Sequence, residues 1–204
     1  MQHRITTPCP PEALRGLRAG DSVLLSGVVY TARDAAHKRM IELLDAGKEL
    51  PYPIQNSAVY YVGPTPARPG QPIGSAGPTT SGRMDPYTPR LAALGQTVLI
   101  GKGPRGEAVQ RALRAAGGVY LAAAGGAGAL LASCVQTAEL VCWEDLGCEA
   151  VRRLTVKDLP LTVVLDAHGG NWYAEGPARW RAKQAEADGE RPPENSKGKE
   201  DRDG

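Results

Sequence analysis

The sequence predicts an α/β fold with parallel strand pairing. Three observations carry this. After Leu91 short β-branched, aliphatic runs alternate with segments of helical periodicity, the pattern of strands exchanged with crossover helices. The chain has 204 residues, ample for its own core. It is 42% hydrophobic but contains no Phe, so the core rests on Val, Leu, Ile and Ala. With 25 Gly and 17 Pro, turns are frequent and elements short.

Residues 1–19 read as an arm with one short helix over Pro11–Arg18. Asp21–Tyr30 is apolar and β-branched, a buried strand. Asp34 opens a helix as its cap; Ala36, Met40, Leu43 and Leu44 recur at helical spacing, and Gly47 closes it. Residues 48–78 hold seven Pro and are loop-rich around one strand, Ala58–Val62. The alternation then gives a strand at Thr97–Ile100, a helix at Gly106–Ala116, a strand at Val119–Ala123 and a helix at Ala127–Val135. Further strands are expected at Glu139–Trp143, Val151–Val156 and Leu161–Leu165, with a last short one at Asn171–Ala174. The domain should occupy residues 1–175. In the tail, 176–204, 14 of 29 residues are charged and the signs cancel. A short helix can reach Ala187; Gly189–Gly204 is too poor in apolar surface to offset its ordering entropy, so disorder is expected.

A net charge of +2 is too small for an electrostatic nucleic-acid binder. No apolar run approaches the roughly 20 residues of a membrane helix, and Met1–Pro11 lacks the apolar stretch of a secretion signal. A cytoplasmic location is the expectation. Cys9, Cys134, Cys142 and Cys148 form no CxxC and have no His at zinc spacing. They are expected to be buried free thiols, behaving as small hydrophobes, with an iron–sulfur cluster on three thiolates as the alternative.

Two glycine motifs invite a nucleotide-site reading, the first weakly and the second not at all. Gly125-Gly126-Ala127-Gly128 follows a strand and opens a helix, but the third glycine of GxGxxG falls on Leu131, so close packing explains these residues. Gly101-Lys102-Gly103 lacks both the upstream Gly and the hydroxyl residue of a phosphate loop. Three segments are more informative. TARDAAH (Thr31–His37) places Arg33 just outside a helix start, with Asp34 and His37 on one face. The loop GSAGPTTSGRMD (Gly74–Asp85) combines glycines, four hydroxyls and Arg83, the makings of an anion cradle in which amides and hydroxyls donate and Arg forks onto a carboxylate. IGKG (Ile100–Gly103) ends a strand where ligands collect in open α/β sheets. Cations at three separate strand or loop ends suit a small, multiply anionic ligand.

GPTTSGRMD, together with TARDAAH, IGKG and ELVCWEDLGCEAV (Glu139–Val151), resembles the β subunit or C-terminal domain of the class I, iron–sulfur-dependent fumarases and tartrate dehydratases, over about Ile5–Ala174. The resemblance implies a swivelling β/β/α domain of three layers with a mixed sheet. It implies an α subunit that carries a [4Fe-4S] cluster on three cysteines, and an assembly of two α and two β subunits. It maps substrate contacts onto Arg33, Thr79, Thr80, Arg83 and Lys102, with Asp34, His37 and Gly77 as supporting residues. Thr79 takes the position of the base that removes the C3 proton. The implied reaction is the reversible hydration of fumarate to (S)-malate, in which the cluster's open iron is the Lewis acid on the hydroxyl and cations clamp both carboxylates. GRMD and ARDAAH look like fumarase β chains, whereas DAHGGN (Asp166–Asn171) resembles tartrate dehydratase β chains; there, His168 reads as a turn residue. A silent binding or assembly module of the same fold is the alternative, and the intact set Arg33, Thr79, Arg83, Lys102 separates the two.

Overall fold

The computed structural model describes residues 1–187. It divides into two units, Met1–Trp172 and a C-terminal unit from Tyr173 onward. The first holds strands β1 (Gln2–Thr7), β2 (Ser22–Thr31), β3 (Ala58–Tyr60), β4 (Val98–Gly101), β5 (Val119–Ala122), β6 (Val135–Cys142) and β7 (Val151–Leu165). Its helices are α1 (Asp34–Asp45), α2 (Thr88–Ala93), α3 (Glu107–Ala116) and α4 (Gly128–Ser133), with 3-10 turns at Pro11–Leu14, Ser81–Met84 and Glu144–Glu149. The second unit is described from Tyr173 to Ala187, within helix α5 (Trp172–Ala187). The expected disorder of Gly189–Gly204 lies outside the described residues.

The sheet is mixed. β1 through β5 run parallel, in the order β1-β2-β3-β4-β5. β7 pairs antiparallel with β5 and β6, and also with β2. The second pairing closes β2, β3, β4, β5 and β7 into a ring. Strand alternation then gives two cores. Ala58, Tyr60, Val98, Ile100, Val119, Leu121, Leu161 and Val163 share the ring interior. Val59, Tyr61, Leu99, Tyr120 and Val164 face outward, onto Met40 of α1, Leu91 of α2 and Val109 and Leu113 of α3. Each fully buried aliphatic side chain contributes about 1.5–3 kcal/mol, so both faces of the short parallel strands are held.

Several elements differ from the sequence expectation. The arm contains strand β1, which alternates too weakly to read alone but pairs with β2 from Gln2 to Thr7. The helix expected over Pro11–Arg18 is one 3-10 turn. The helix at Ala127–Val135 is shorter, because Val135 already belongs to β6. The two strands expected on either side of residues 157–160 are one. Leu25–Gly27 of β2 spans two steps while Leu159–Val156 of β7 spans three, so β7 carries one extra residue, with Asp158 at φ +51°. This bulge restores the inward phase of Leu159, Leu161 and Val163 after Leu154 and Val156. Pro160 falls where the β6 ladder has ended and the β5 ladder has not begun. No strand forms at Asn171–Ala174. Asp166 accepts the His168 and Gly170 amides at 2.8 Å each, and the resulting turn lets Asn171 make a single bridge to Leu165 before α5 starts.

Candidate functional site

Parallel pairing brings the carboxyl ends of β2, β3 and β4 to one edge, and TARDAAH, GPTTSGRMD and IGKG all arrive there. At the end of β2, buried Thr31 ties the strand to the start of β7: its hydroxyl donates to the Ala150 carbonyl (3.2 Å) and accepts the Arg152 amide (2.9 Å). Arg33 follows in an extended conformation as the residue before α1. The expectation that Asp34 caps the helix is corrected. Asp34 is the first helical residue, and the carboxylate at the helix start belongs to Glu149, which accepts the Ala35 amide at 3.4 Å. Glu149 also lies 3.1 Å from Arg33 Nη2, whereas Asp34 Oδ1 is 3.8 Å from it, an ion-pair distance too long for a hydrogen bond.

His37 is fully buried. Its Nδ1 lies 2.8 Å from the Arg33 carbonyl, which can only accept, so Nδ1 carries the proton of a neutral ring. Burial pushes its pKa down to about 4, with the Arg105 charge acting in the same direction; the bond to Arg33 and the charge of Asp34 oppose this. The ring meets Tyr61 edge-on at 5.4 Å and stacks near Tyr87 at 6.1 Å. His37 therefore braces the backbone of Arg33 from inside the core.

GPTTSGRMD lies across the ends of β3 and β4. The Tyr61 carbonyl accepts the Thr79 amide (2.7 Å), and Thr80 pairs with Lys102 as a parallel bridge. Ser81 donates its amide to the Lys102 carbonyl (2.9 Å) while its hydroxyl accepts the Lys102 amide (3.0 Å). A Cβ on Gly101 would fall on Ser81 Oγ, so only glycine permits this approach. Thr79 is half-buried; Thr80, Arg83 and Lys102 are exposed. Only part of the expected amide cradle is open to a ligand: the amides of Ser75, Ala76, Thr79 and Ser81 are engaged within the fold. The loop offers an anion the hydroxyls of Thr79 and Thr80 and the exposed cation of Arg83, beside Lys102 of IGKG. Gly77 stands apart, against the start of α4, where a Cβ on Gly128 would meet its backbone. Close packing thus accounts for Gly128 alone; a Cβ on Gly77, Gly125 or Gly126 would meet nothing, and Gly126 is set apart instead by its φ of +80°.

Sequence reasoning missed two charged residues here. Glu149 lies inside ELVCWEDLGCEAV, but nothing local signals that it reaches α1. Arg105 follows IGKG by two residues. Its side chain is wholly buried, between the rings of Tyr61 and Tyr120 at 5.2 Å from each centroid. Nε donates to Asp85 at 2.6 Å and Nη2 to Thr88 Oγ1 at 2.7 Å. Asp85, the last residue of GRMD, also accepts the Gly106 amide at 2.6 Å. Burial opposes the charge on Arg105, but Tyr61 and Asp85 outweigh it and raise its pKa. The Arg after IGKG and the Asp ending GRMD were the available signal for this pair.

The cysteines do not form a metal-binding set. Cys9 is buried in the ring interior, Cys134 and Cys142 are half-buried on different elements, and Cys148 is exposed. The expectation of four buried thiols is thus corrected: β6 is paired on one side only, and the turn after it leaves Cys148 open. Among the described residues no three His, Cys, Asp or Glu side chains converge as metal ligands. These residues do not fit an iron–sulfur cluster.

Residues 3–176 match the family model described as "Fumarase C-terminus". The chain belongs to this fumarase C-terminus family. It is 41% identical over 153 residues to "Fumarate hydratase 1, mitochondrial" of Leishmania major, and 39% over 153 residues to "Fumarate hydratase class I, anaerobic" of Escherichia coli. Each alignment covers 74% of this chain and 28% of the relative, so the chain spans about a quarter of the length of these fumarate hydratases. It is 38% identical over 168 residues to the Methanocaldococcus jannaschii protein named "Putative L(+)-tartrate dehydratase subunit beta", covering 79% of this chain and 86% of that one. The edge formed by β2, β3 and β4, where the three motifs meet, is the candidate site. No helix among the described residues is long and apolar enough to cross a membrane.

Proposed function

We propose that this chain is the β component of an iron–sulfur hydro-lyase that interconverts fumarate and (S)-malate, active in the cytoplasm with an α subunit in an assembly of two α and two β subunits. The [4Fe-4S] cluster is assigned to the α subunit. The finer fold assignment, a swivelling β/β/α domain in three layers, belongs to the same proposal. The observation that carries it is the Thr80–Lys102 bridge, which seats GPTTSGRMD against IGKG at the edge where Arg33 emerges. The relatives named fumarate hydratase support the choice of reaction.

The residues suit this chemistry. Removing the C3 proton of malate leaves carbanion-like charge that spreads onto the adjacent carboxylate. Arg83, Lys102 and Arg33 hold the two carboxylates and stabilise that charge through fixed cations. Thr79 receives the proton at Oγ1, an alkoxide-like role that needs the surrounding cations to lower its pKa. Thr80 adds a hydroxyl donor, and Asp34 and His37 position Arg33. Activation of the hydroxyl is left to the partner.

Anaerobic co-expression with a three-cysteine α subunit, followed by assays on malate, fumarate and tartrate, tests the proposal. Fumarate–malate interconversion is expected. Faster turnover of tartrate would select the second reading, an L(+)-tartrate dehydratase β subunit, which the match over 86% of the M. jannaschii protein favours. A stable assembly inactive on all three would leave a silent assembly module.

A further inference from the structure

Arg83 and Lys102 sit on separate turns, and both turns are exposed where a ligand would meet them. Underneath, the turns are joined at two points. At one end Ser81 and Lys102 exchange their two hydrogen bonds, at 2.9 and 3.0 Å. At the other end Arg105 holds Asp85 at 2.6 Å. Arg83 lies midway between Ser81 and Asp85, and Lys102 precedes Arg105 by one short turn through Gly103 and Pro104. Tyr120 links the two joints, its hydroxyl 2.9 Å from both Ser81 Oγ and the Gly103 carbonyl, its ring against the Arg105 guanidinium.

We infer that Arg105 is a positioning residue that fixes the span between Arg83 and Lys102 and thereby sets the length of dicarboxylate the site accepts. This rests on the proposed function above. A guanidinium is required for physical reasons. It is planar, so it fits between two tyrosine rings, and its fork of donors reaches Asp85, Thr88 and Tyr61 at once. Lysine, a point charge on a flexible stem, cannot do both. The site cations themselves are solvent-exposed and long, so their spacing is set by the backbone of the two turns. A dianion of fixed length reads that spacing, and a displacement of about 1 Å there costs on the order of 100-fold in turnover efficiency.

Two measurements on Arg105→Met and Arg105→Lys test this. Amide exchange of the full-length chain alone should speed up at Ser81 and Lys102, while Leu99 and Tyr120 in the strands stay protected. Unchanged protection at Ser81 and Lys102 would overturn the inference, and so would protection lost evenly through the sheet, which marks a residue needed only for stability. In the assembled enzyme, competitive inhibition by malonate, succinate and glutarate reads the span. The wild type should favour the four-carbon acid; the variants should lose that preference, with kcat/KM down about 100-fold. A variant with fewer active molecules, an unchanged KM and an intact preference would refute the inference. A wild-type assembly inactive on every dicarboxylate would fail the proposed function instead, and the exchange data would still decide whether Arg105 holds the two turns together. If Arg105→Met does not fold, Arg105→Lys, which keeps the charge, carries both measurements.

Discussion

Glu149 reaches back across 114 residues to the start of α1, where its carboxylate lies 3.1 Å from Arg33 and accepts the Ala35 amide. One acidic side chain thus does two things: it complements the positive end of the helix dipole and pins a guanidinium that the proposed site uses. Glu149→Gln keeps the size and one acceptor oxygen but removes the charge. We expect a loss of about 1–2 kcal/mol in urea unfolding, the cost of a weakened, partly buried charge-assisted bond. In the assembled enzyme KM for the dicarboxylate should rise more than kcat falls, because Arg33 would keep its charge and lose its orientation. A stability loss with unchanged KM would reduce Glu149 to a helix cap.

Arg83→Ala should cripple turnover far more than Arg111→Ala. Arg83 follows the Ser81–Lys102 joint and is exposed at the proposed site. Arg111 lies on the outer side of α3, paired at 3.3 Å with Glu107 one turn away, an exposed pair of little energetic weight. Loss of a carboxylate contact in a closed site costs roughly 2–5 kcal/mol, or about 30-fold to several thousandfold in rate. Both variants should fold, since neither side chain serves the core. Steady-state kinetics on the two assemblies decides it, and equal activities would remove Arg83 from the site.

What could be read from sequence followed the range of the interactions involved. β4, α3 and β5 were visible because aliphatic periodicity and the closing glycine are local; Gly117 ends α3 at φ +64° as a left-handed cap. β1 was not, because its register comes from β2 and its own alternation is weak. The closure of the ring through β7 was invisible for the same reason: it depends on a bulge at Asp158 and on a strand more than 100 residues away. At the site, the exposed Arg83 and Lys102 stood out by motif. Arg105 and Glu149, which brace the residues around them, did not: Arg105 and Asp85 adjoin the motifs, but the burial of the one and the long reach of Glu149 are not written in the local sequence.

The neutral, buried His37 predicts a specific pH response. Its folded pKa of about 4 lies below the ordinary value near 6.5 of an exposed His. Between those values the unfolded chain binds a proton that the folded chain refuses, so stability is full above about pH 6.5 and falls as the pH drops toward 4. A shift of this size corresponds to about 3 kcal/mol. His37→Asn retains a donor for the Arg33 carbonyl and cannot titrate. Urea midpoints at pH 7 and 4.5 should therefore differ strongly for the wild type and much less for the variant. Parallel slopes for the two proteins would show that another group governs the acid limb.

The four thiols should be resolved by their surroundings, and the same experiment bears on where iron sits. Cys148 is exposed and should react first with a chromogenic thiol reagent at mild alkaline pH. Cys134 and Cys142 are half-buried, and burial raises the pKa of each, so they should follow more slowly. Cys9 lies in the ring interior with its pKa pushed up to about 11 by burial; it should stay silent until the chain unfolds. A cluster needs three thiolates within reach of one cube, and these side chains occupy the ring interior, strand β6 with its preceding turn, and an exposed 3-10 turn. The chain purified alone under anaerobic conditions should therefore carry no stoichiometric iron or sulfide. Equal protection of Cys134, Cys142 and Cys148, accompanied by four irons per chain, would move the cluster onto this subunit and undo its assignment to the partner.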